Sequence, residues 1–323
     1  MRRIAVAAAL CLVAGGGTAC AAEGAGTVTI SGAWALYPMA VRWAEEYRKL
    51  HPSVSIDIAA GGAGKGMADA LAGAADIGMV SRAIAPAEFA KGAWAVAVTR
   101  DAVVPTVNAG NPALRELLRR GVTRERFAAL WIAGRPATWG ELSGTARPDP
   151  VRVYTRSDAC GAAQTWAGYL GGTQEALKGV GVYGDPGLAE AVRKDPRGIG
   201  YNNVNFAYDA ATRKPLAGLR VLPIDLDGDG TIGERERFYD DRDRLVAAIG
   251  DGRYPSPPAR ELYFVCGGRP ARETVRAFIR WVLTDGQAYV PEAGYIRLAA
   301  ETLRGELNKL DGAETSSGER RGG

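Results

Sequence analysis

Three turns in this chain share one geometry, and that geometry suits binding an anion. They are Ser31-Gly32-Ala33-Trp34-Ala35-Leu36-Tyr37-Pro38, Gly61-Gly62-Ala63-Gly64-Lys65-Gly66 and Arg156-Ser157-Asp158-Ala159-Cys160-Gly161-Ala162-Ala163. Each follows a strand-like run and opens a helix-like one. Small residues let backbone N–H groups approach a bound group closely, and a helix start adds about half a positive charge. One such turn is a common packing device; three in one chain point to convergence on an anion. Arg156 adds a permanently charged fork that matches an oxyanion. Asp158, two residues on, either orients Arg156 or accepts a ligand proton. Cys160 is either a small buried residue or a thiol activated by Arg156 and a helix start. Lys65 is a second cation for the site or a solvated lysine, and Trp34 a wall of the site or a packing residue.

A second motif is independent of the first. Residues 225–236, DLDGDGTIGERE, match the twelve-residue calcium loop. Carboxylates at Asp225, Asp227 and Asp229 alternate so that they converge, Gly230 permits the bend, Thr231 offers its carbonyl, and Glu236 closes the set. The competing reading is an acidic turn. The run before the loop, Val221 to Ile224, reads as strand, so a structural calcium ion is expected rather than a calcium switch. No organic cofactor is expected. Nor is an enzyme: cysteine-based phosphate chemistry wants an arginine six residues beyond the cysteine, and Trp166 stands there. The one histidine, His51, lies at a helix end before Pro52, where a dipole partner is the simple reading. A phosphohydrolase with Cys160 as nucleophile and Asp158 as acid would lack a base.

The elements that would position these turns alternate between strand and helix, which predicts an α/β fold. Strands are expected at 27–31, 53–59, 76–80, 96–107, 151–155, 198–202 and 262–265. Helices are expected at 37–50, 66–72, 124–132, 160–170, 188–194, 272–283 and 295–310. Pro- and Gly-rich stretches at 108–112 and 254–258 bracket a middle segment. The expected architecture is therefore two lobes, 27–108 plus 259–310 and 109–258, each a mixed sheet flanked by helices. Two strands join them as a hinge, with a cleft between. Residues 311–323 are expected to form a disordered tail.

Composition bounds the rest. The chain has 323 residues, 47% of them hydrophobic, and a net charge of +4 without charge blocks, which argues against nucleic-acid binding. Arg2 and Arg3, the apolar run Ile4 to Ala14 and the small residues before Ala21 read as an export signal over 1–21. The run is shorter than the roughly 20 residues that span a bilayer. Export places the chain in the periplasm or at the cell surface, with Cys20 as an alternative, lipid-bearing start. The mature chain keeps Cys160 and Cys266, which an oxidising compartment would permit to pair.

Taken in order, these blocks resemble the phosphate-binding proteins of phosphate ABC transporters. The similarity is carried by Ala35-Leu36-Tyr37-Pro38 with Trp43-Ala44-Glu45-Glu46-Tyr47, then Gly61 to Gly66, Asp76-Ile77-Gly78-Met79-Val80-Ser81-Arg82, Arg156-Ser157-Asp158 with Gly161, and Gly198-Ile199-Gly200-Tyr201. It covers roughly residues 27 to 300. The resemblance implies a type II periplasmic-binding fold, a monomer that holds inorganic phosphate between its lobes, and an ABC permease as partner. It places ligand contacts at Ala35, Leu36, Tyr37, Ala63, Ser81, Arg82, Arg156, Asp158, Cys160, Gly161 and Ala162. The family pattern carries hydroxyls at positions 63, 160 and 162, where this chain has Ala, Cys and Ala. Another oxyanion (sulfate, molybdate or a phosphonate) and a non-transport anion sensor therefore stand as alternatives.

Overall fold

A computed structural model describes residues 26–312. The expected export signal and nearly all of the expected tail lie outside these residues. The chain opens with β1 (Gly26–Gly32), α1 (Tyr37–Leu50), β2 (Val54–Ala60), α2 (Ala63–Leu71), β3 (Ile77–Val80) and α3 (Pro86–Ala90). β1 lies parallel to both β2 and β3. In α1 a proline sits in the first turn, where its missing N–H costs nothing, and Met39, Ala40, Trp43, Ala44 and Tyr47 form the buried face. α2 approaches the sheet so closely that a methyl on Gly66 would sit within 3.0 Å of the Gly32 and Met79 backbones. Only glycine allows that contact.

β4 (Ala93–Asn108) is the long crossing strand. Its first part pairs antiparallel with β9 (Ala259–Gly267), and its last part pairs with β7 (Gly198–Asn203) and β8 (Leu219–Val221). Between β4 and β9 the chain forms α4 (Leu114–Arg120), α5 (Arg124–Trp131), α6 (Trp139–Ser143), β5 (Arg152–Arg156), α7 (Gly161–Tyr169), β6 (Val180–Val182), α8 (Gly184–Lys194), β7, β8 and α9 (Arg242–Gly250). β5 runs parallel to β6 and β7. α10 (Glu273–Leu283) and α11 (Ala300–Asp311) follow β9.

Two large cores divide the chain along β4 and β9. One takes in residues from Val28 to Val98 and from Leu262 to Leu310; the other runs from Ala102 to Ala259. Between Val98 and Ala102 going out, and between Ala259 and Leu262 coming back, β4 and β9 cross as an antiparallel pair. The two-lobed mixed α/β architecture with a two-strand hinge is thus the observed fold.

Several boundaries differ from expectation for identifiable reasons. Residues 295–299 do not continue a helix into α11. Buried Tyr295 hydrogen-bonds to the Ala35 carbonyl at 2.7 Å, and Ile296 forms a bridge with Arg100. Asp311, assigned to the tail, belongs to α11 and pairs with Arg280, and Gly312 caps that helix with φ +76°. α2 and α8 start earlier than their apolar periodicity suggests, because their first turns carry glycines in place of apolar side chains: Gly64 and Gly66 against neighbouring backbone, Gly184 and Gly187 against the Trp34 and Val182 side chains. Past Val221 the strand stops; Leu222 and Ile224 stay buried, held by single backbone contacts to Pro105 and Val122.

Candidate functional site

The centre of the site is Arg156, the last residue of β5, whose side chain is 0% exposed. Its Nε donates to Asp158 Oδ1 at 2.8 Å and its Nη2 to Asp158 Oδ2 at 2.6 Å. Its Nη1 donates to Asp185 Oδ2 at 2.5 Å. Burial works against the Arg156 charge, but Asp185 and Asp158 outweigh it and hold the guanidinium protonated. Asp158 therefore orients Arg156, one of the two roles weighed for it. Below lies an aromatic platform: Trp166 packs at 5.4 Å from Trp131 and 5.8 Å from Tyr201. The Tyr201 hydroxyl meets Thr155 Oγ1 at 2.8 Å and accepts the Arg156 N–H at 3.2 Å. Such ring pairs contribute about 0.5–1.5 kcal/mol each beyond burial, which keeps the arginine backbone in place.

Around this group the two lobes touch. Gly64 N–H of α2 donates to the Ala159 carbonyl at 3.2 Å. Gly161, at the start of α7, lies flat against Ser81, just past β3, with no room for a side chain. Trp34 of the first lobe packs on Gly184 and on Phe206, ring centroids 6.4 Å apart, so it walls the interlobe surface. The first turns of α2 and α7 thus both lie at the interlobe contact, and Ala63, Gly161 and Ala162 within them are buried. Cys160 is the N-cap of α7: its Sγ accepts the Ala163 N–H at 3.4 Å, and Gln174 clamps its turn through Cys160 N–H (3.2 Å) and the Asp158 carbonyl (2.8 Å).

A family model described as a PBP superfamily domain matches residues 17–286. The chain belongs to the PBP superfamily. Its full-length relatives include a phosphate-binding protein PstS of Pseudomonas aeruginosa, 27% identical, with 88% of this chain and 87% of that protein aligned. A PstS of Methanocaldococcus jannaschii is 24% identical over 84% of this chain and 82% of the other. Among solved structures, a putative phosphate ABC transporter substrate-binding protein with bound phosphate from Clostridium perfringens superposes with a TM-score of 0.68. It is 22% identical and covers 84% of this chain and all of its own. That likeness bears on the fold, and it is the two-lobed type II periplasmic-binding fold.

In this PBP-superfamily chain the expected contacts divide into two groups. Ser81 meets Gly161 across the lobes, and the turn around Ala63 meets Asp158 and Ala159; Arg156 stands behind Asp158, and Cys160 and Ala162 pack into the second-lobe core. The first turn holds Ala35, Leu36 and Tyr37, but the Leu36 and Tyr37 amides close back on the Ala33 carbonyl at 3.1 and 3.2 Å. They reach a ligand only by sharing those hydrogens. Arg82 is turned to its own lobe, where it forks onto Glu88 (Nη1–Oε2 2.8 Å, Nη2–Oε1 2.6 Å) and the Ala83 carbonyl. Lys65 is held by Ser31 and Asp69 at a half-exposed helix start, the surface role.

The Arg82 hydrogen bonds hold the Glu88 carboxyl below its ordinary value of 4.5. A depressed folded-state value gives stability that is full above the ordinary value and lost as pH falls through the folded one. We therefore expect Arg82→Met to lower the melting temperature at pH 7 and to shrink that difference below pH 4, measured by thermal denaturation.

Asp185 escaped the sequence reading. It lies in the first turn of α8, where an acidic residue is ordinarily explained by the helix dipole. Cys160 and Cys266 are both free and buried, in different cores, so the permitted disulfide does not form. Burial also pushes the Cys160 thiol up to about 12, against the pull of Arg156, so it is not the activated thiolate weighed as an alternative.

The calcium-type loop lies in the second lobe, apart from this cleft. Asp225, Asp227 and Asp229 bring carboxylate oxygens within 4.8 Å of one another. Asp225 accepts the Gly228 and Gly230 N–H groups at 2.8 and 3.1 Å, and Gly230 takes φ +76°. Glu236 is buried and accepts the Leu226 N–H at 2.7 Å and the Gly233 N–H at 3.2 Å; it stands outside the aspartate group.

Proposed function

We propose that this chain is an extracytoplasmic solute-binding protein that captures inorganic phosphate between its lobes and delivers it to an ABC permease. The observation that carries this reading is the buried Arg156–Asp158–Asp185 group set beside two helix N-termini at an interlobe contact. One guanidinium against two carboxylates supplies no net positive charge. Affinity on this reading comes from backbone amides at the starts of α2 and α7, with Arg156 as the directional donor. The PstS relatives support phosphate as the ligand. No helix among the described residues is long and apolar enough to cross a membrane, which suits a chain released by an export signal over residues 1–21, or tethered through Cys20, and working as a monomer.

A second reading rests on Ala63, Cys160 and Ala162. Each hydroxyl absent there removes about 1.5–3 kcal/mol if it served a charged oxygen, which favours a different oxyanion. Calorimetric titration of the chain from Glu23 onward, stripped of anion, with phosphate, sulfate and molybdate separates the two. A one-to-one micromolar or tighter signal for phosphate alone is expected. Binding of another anion instead would replace phosphate, and silence for all three would sink the transport reading.

We further propose that residues 225–236 hold a structural calcium ion through Asp225, Asp227, Asp229, the Thr231 carbonyl and Glu236. Hard oxygen donors on a loop already bent at Gly230 support it. Calcium at about a hundredfold excess over Kd should add about 2.7 kcal/mol of stability, a rise of several degrees in melting temperature. Asp227→Asn, at an exposed ligand position, should abolish the rise. A parent chain indifferent to calcium and to chelator leaves only an acidic turn.

A further inference from the structure

We propose that the Asp101–Arg260 pair in the hinge is a positioning unit for Arg156, acting through Asn203 and Asp185. The inference rests on the anion-binding reading above and adds the residues that set its geometry. Asp101 on β4 and Arg260 on β9 stand directly opposite each other, between the last residue of one core and the first of the other on both strands. Arg260 Nε donates to Asp101 Oδ1 at 2.9 Å. Nη2 adds a longer bond to Asp101 Oδ2 at 3.4 Å, and the two terminal nitrogens also reach into the second lobe: Nη1 donates to Thr165 Oγ1 of α7 at 3.0 Å, and Nη2 donates to Asn203 Oδ1 at the end of β7. The same Asn203 sends its backbone N–H to Asp185 Oδ1 at 3.1 Å, and the other oxygen of Asp185 holds Arg156. The neighbouring Asn202 amide donates to the Asp185 carbonyl at 3.2 Å.

Every charged member of this path is buried: Asp101 is 2% exposed, Arg260 8%, Asp185 1% and Arg156 5%. A buried ion pair is a poor source of stability, since well-packed apolar residues often do as well or better. Burial indeed pushes the Asp101 carboxyl above its ordinary value despite Arg260. What the pair supplies is direction. A branched donor at the crossing strands fixes α7, whose start faces the cleft, and β7, which fixes Asp185. Movement at the hinge is thereby tied to the orientation of the cleft guanidinium.

The test is Arg260→Lys, which keeps the charge beside Asp101 but cannot reach Thr165 and Asn203 together. We expect phosphate affinity, read by calorimetry, to fall about tenfold while the ligand-free melting temperature changes little. The paired replacement Asp101→Leu with Arg260→Met removes both charges at once and should give the same loss. Adding either change to Asp185→Asn should cost no further affinity, because the path is already cut. Unchanged phosphate affinity in both variants, or losses that simply add to that of Asp185→Asn, would overturn the inference while leaving the functional reading intact. A parent chain that binds none of phosphate, sulfate and molybdate would overturn both.

Discussion

Replacing Gly161 with alanine should weaken oxyanion capture about a hundredfold and leave the ligand-free protein at least as stable as the parent. The reason is the place of this residue at the contact between lobes. A methyl group there would come closer than 3.0 Å to both the carbonyl and the hydroxyl oxygen of Ser81. The carbonyl belongs to the backbone just after β3 and cannot swing away as a side chain would. Within its own lobe, by contrast, position 161 is the first residue of α7 with no left-handed backbone to demand glycine. Alanine is the better helix former there by up to about 1 kcal/mol. The substitution therefore penalises only the state in which the lobes meet, by about 1–3 kcal/mol on the scale of ordinary overpacking. Calorimetry with phosphate, paired with thermal denaturation of the ligand-free chain, separates the two effects. Affinity equal to the parent would mean that the ligand is held without the contact described here.

The residues readable from sequence were those whose neighbours in the chain are also their partners in space. The span of α1 follows from Pro38 and Pro52 at its two ends and the apolar spacing between them. Arg156 and Asp158 stand two apart at a strand end, so the orienting carboxylate was open to inference. The Asp225–Glu236 loop likewise carries its spacing on its face. What escaped depends on distant pairing. Asp185 reaches Arg156 only because β6 and α8 fold back beside β5. Asp101 and Arg260 meet across 159 positions of chain, as hinge strands must. Arg82 is a ligand contact only by what the family resemblance implies. Glu88, six residues on, claims it first. Tyr295 fits a helical apolar stripe, yet its hydroxyl is committed to the Ala35 carbonyl, and the chain stays irregular until α11.

Replacing Arg156 with methionine should be the most damaging single change to stability. In the parent, one guanidinium satisfies Asp158 and Asp185, whose side chains are only 7% and 1% exposed. Removing it leaves two carboxylates buried together without a cation, and breaking a buried pair in this way costs about 3–5 kcal/mol. Lysine should rescue only part of the loss, because a single ammonium cannot fork onto Asp158 while also reaching Asp185. Stability and binding then separate in a further variant. Arg156→Met combined with Asp158→Asn and Asp185→Asn removes all three charges and keeps similar volumes, so the melting temperature should recover most of the way. Phosphate binding should not recover, since the directional donor is gone. A triple variant that binds phosphate as the parent does would show that the amides at the starts of α2 and α7 suffice alone. Failure of the triple variant to regain stability would instead place the cost of losing Arg156 in the packing of its buried side chain rather than in the stranded carboxylates.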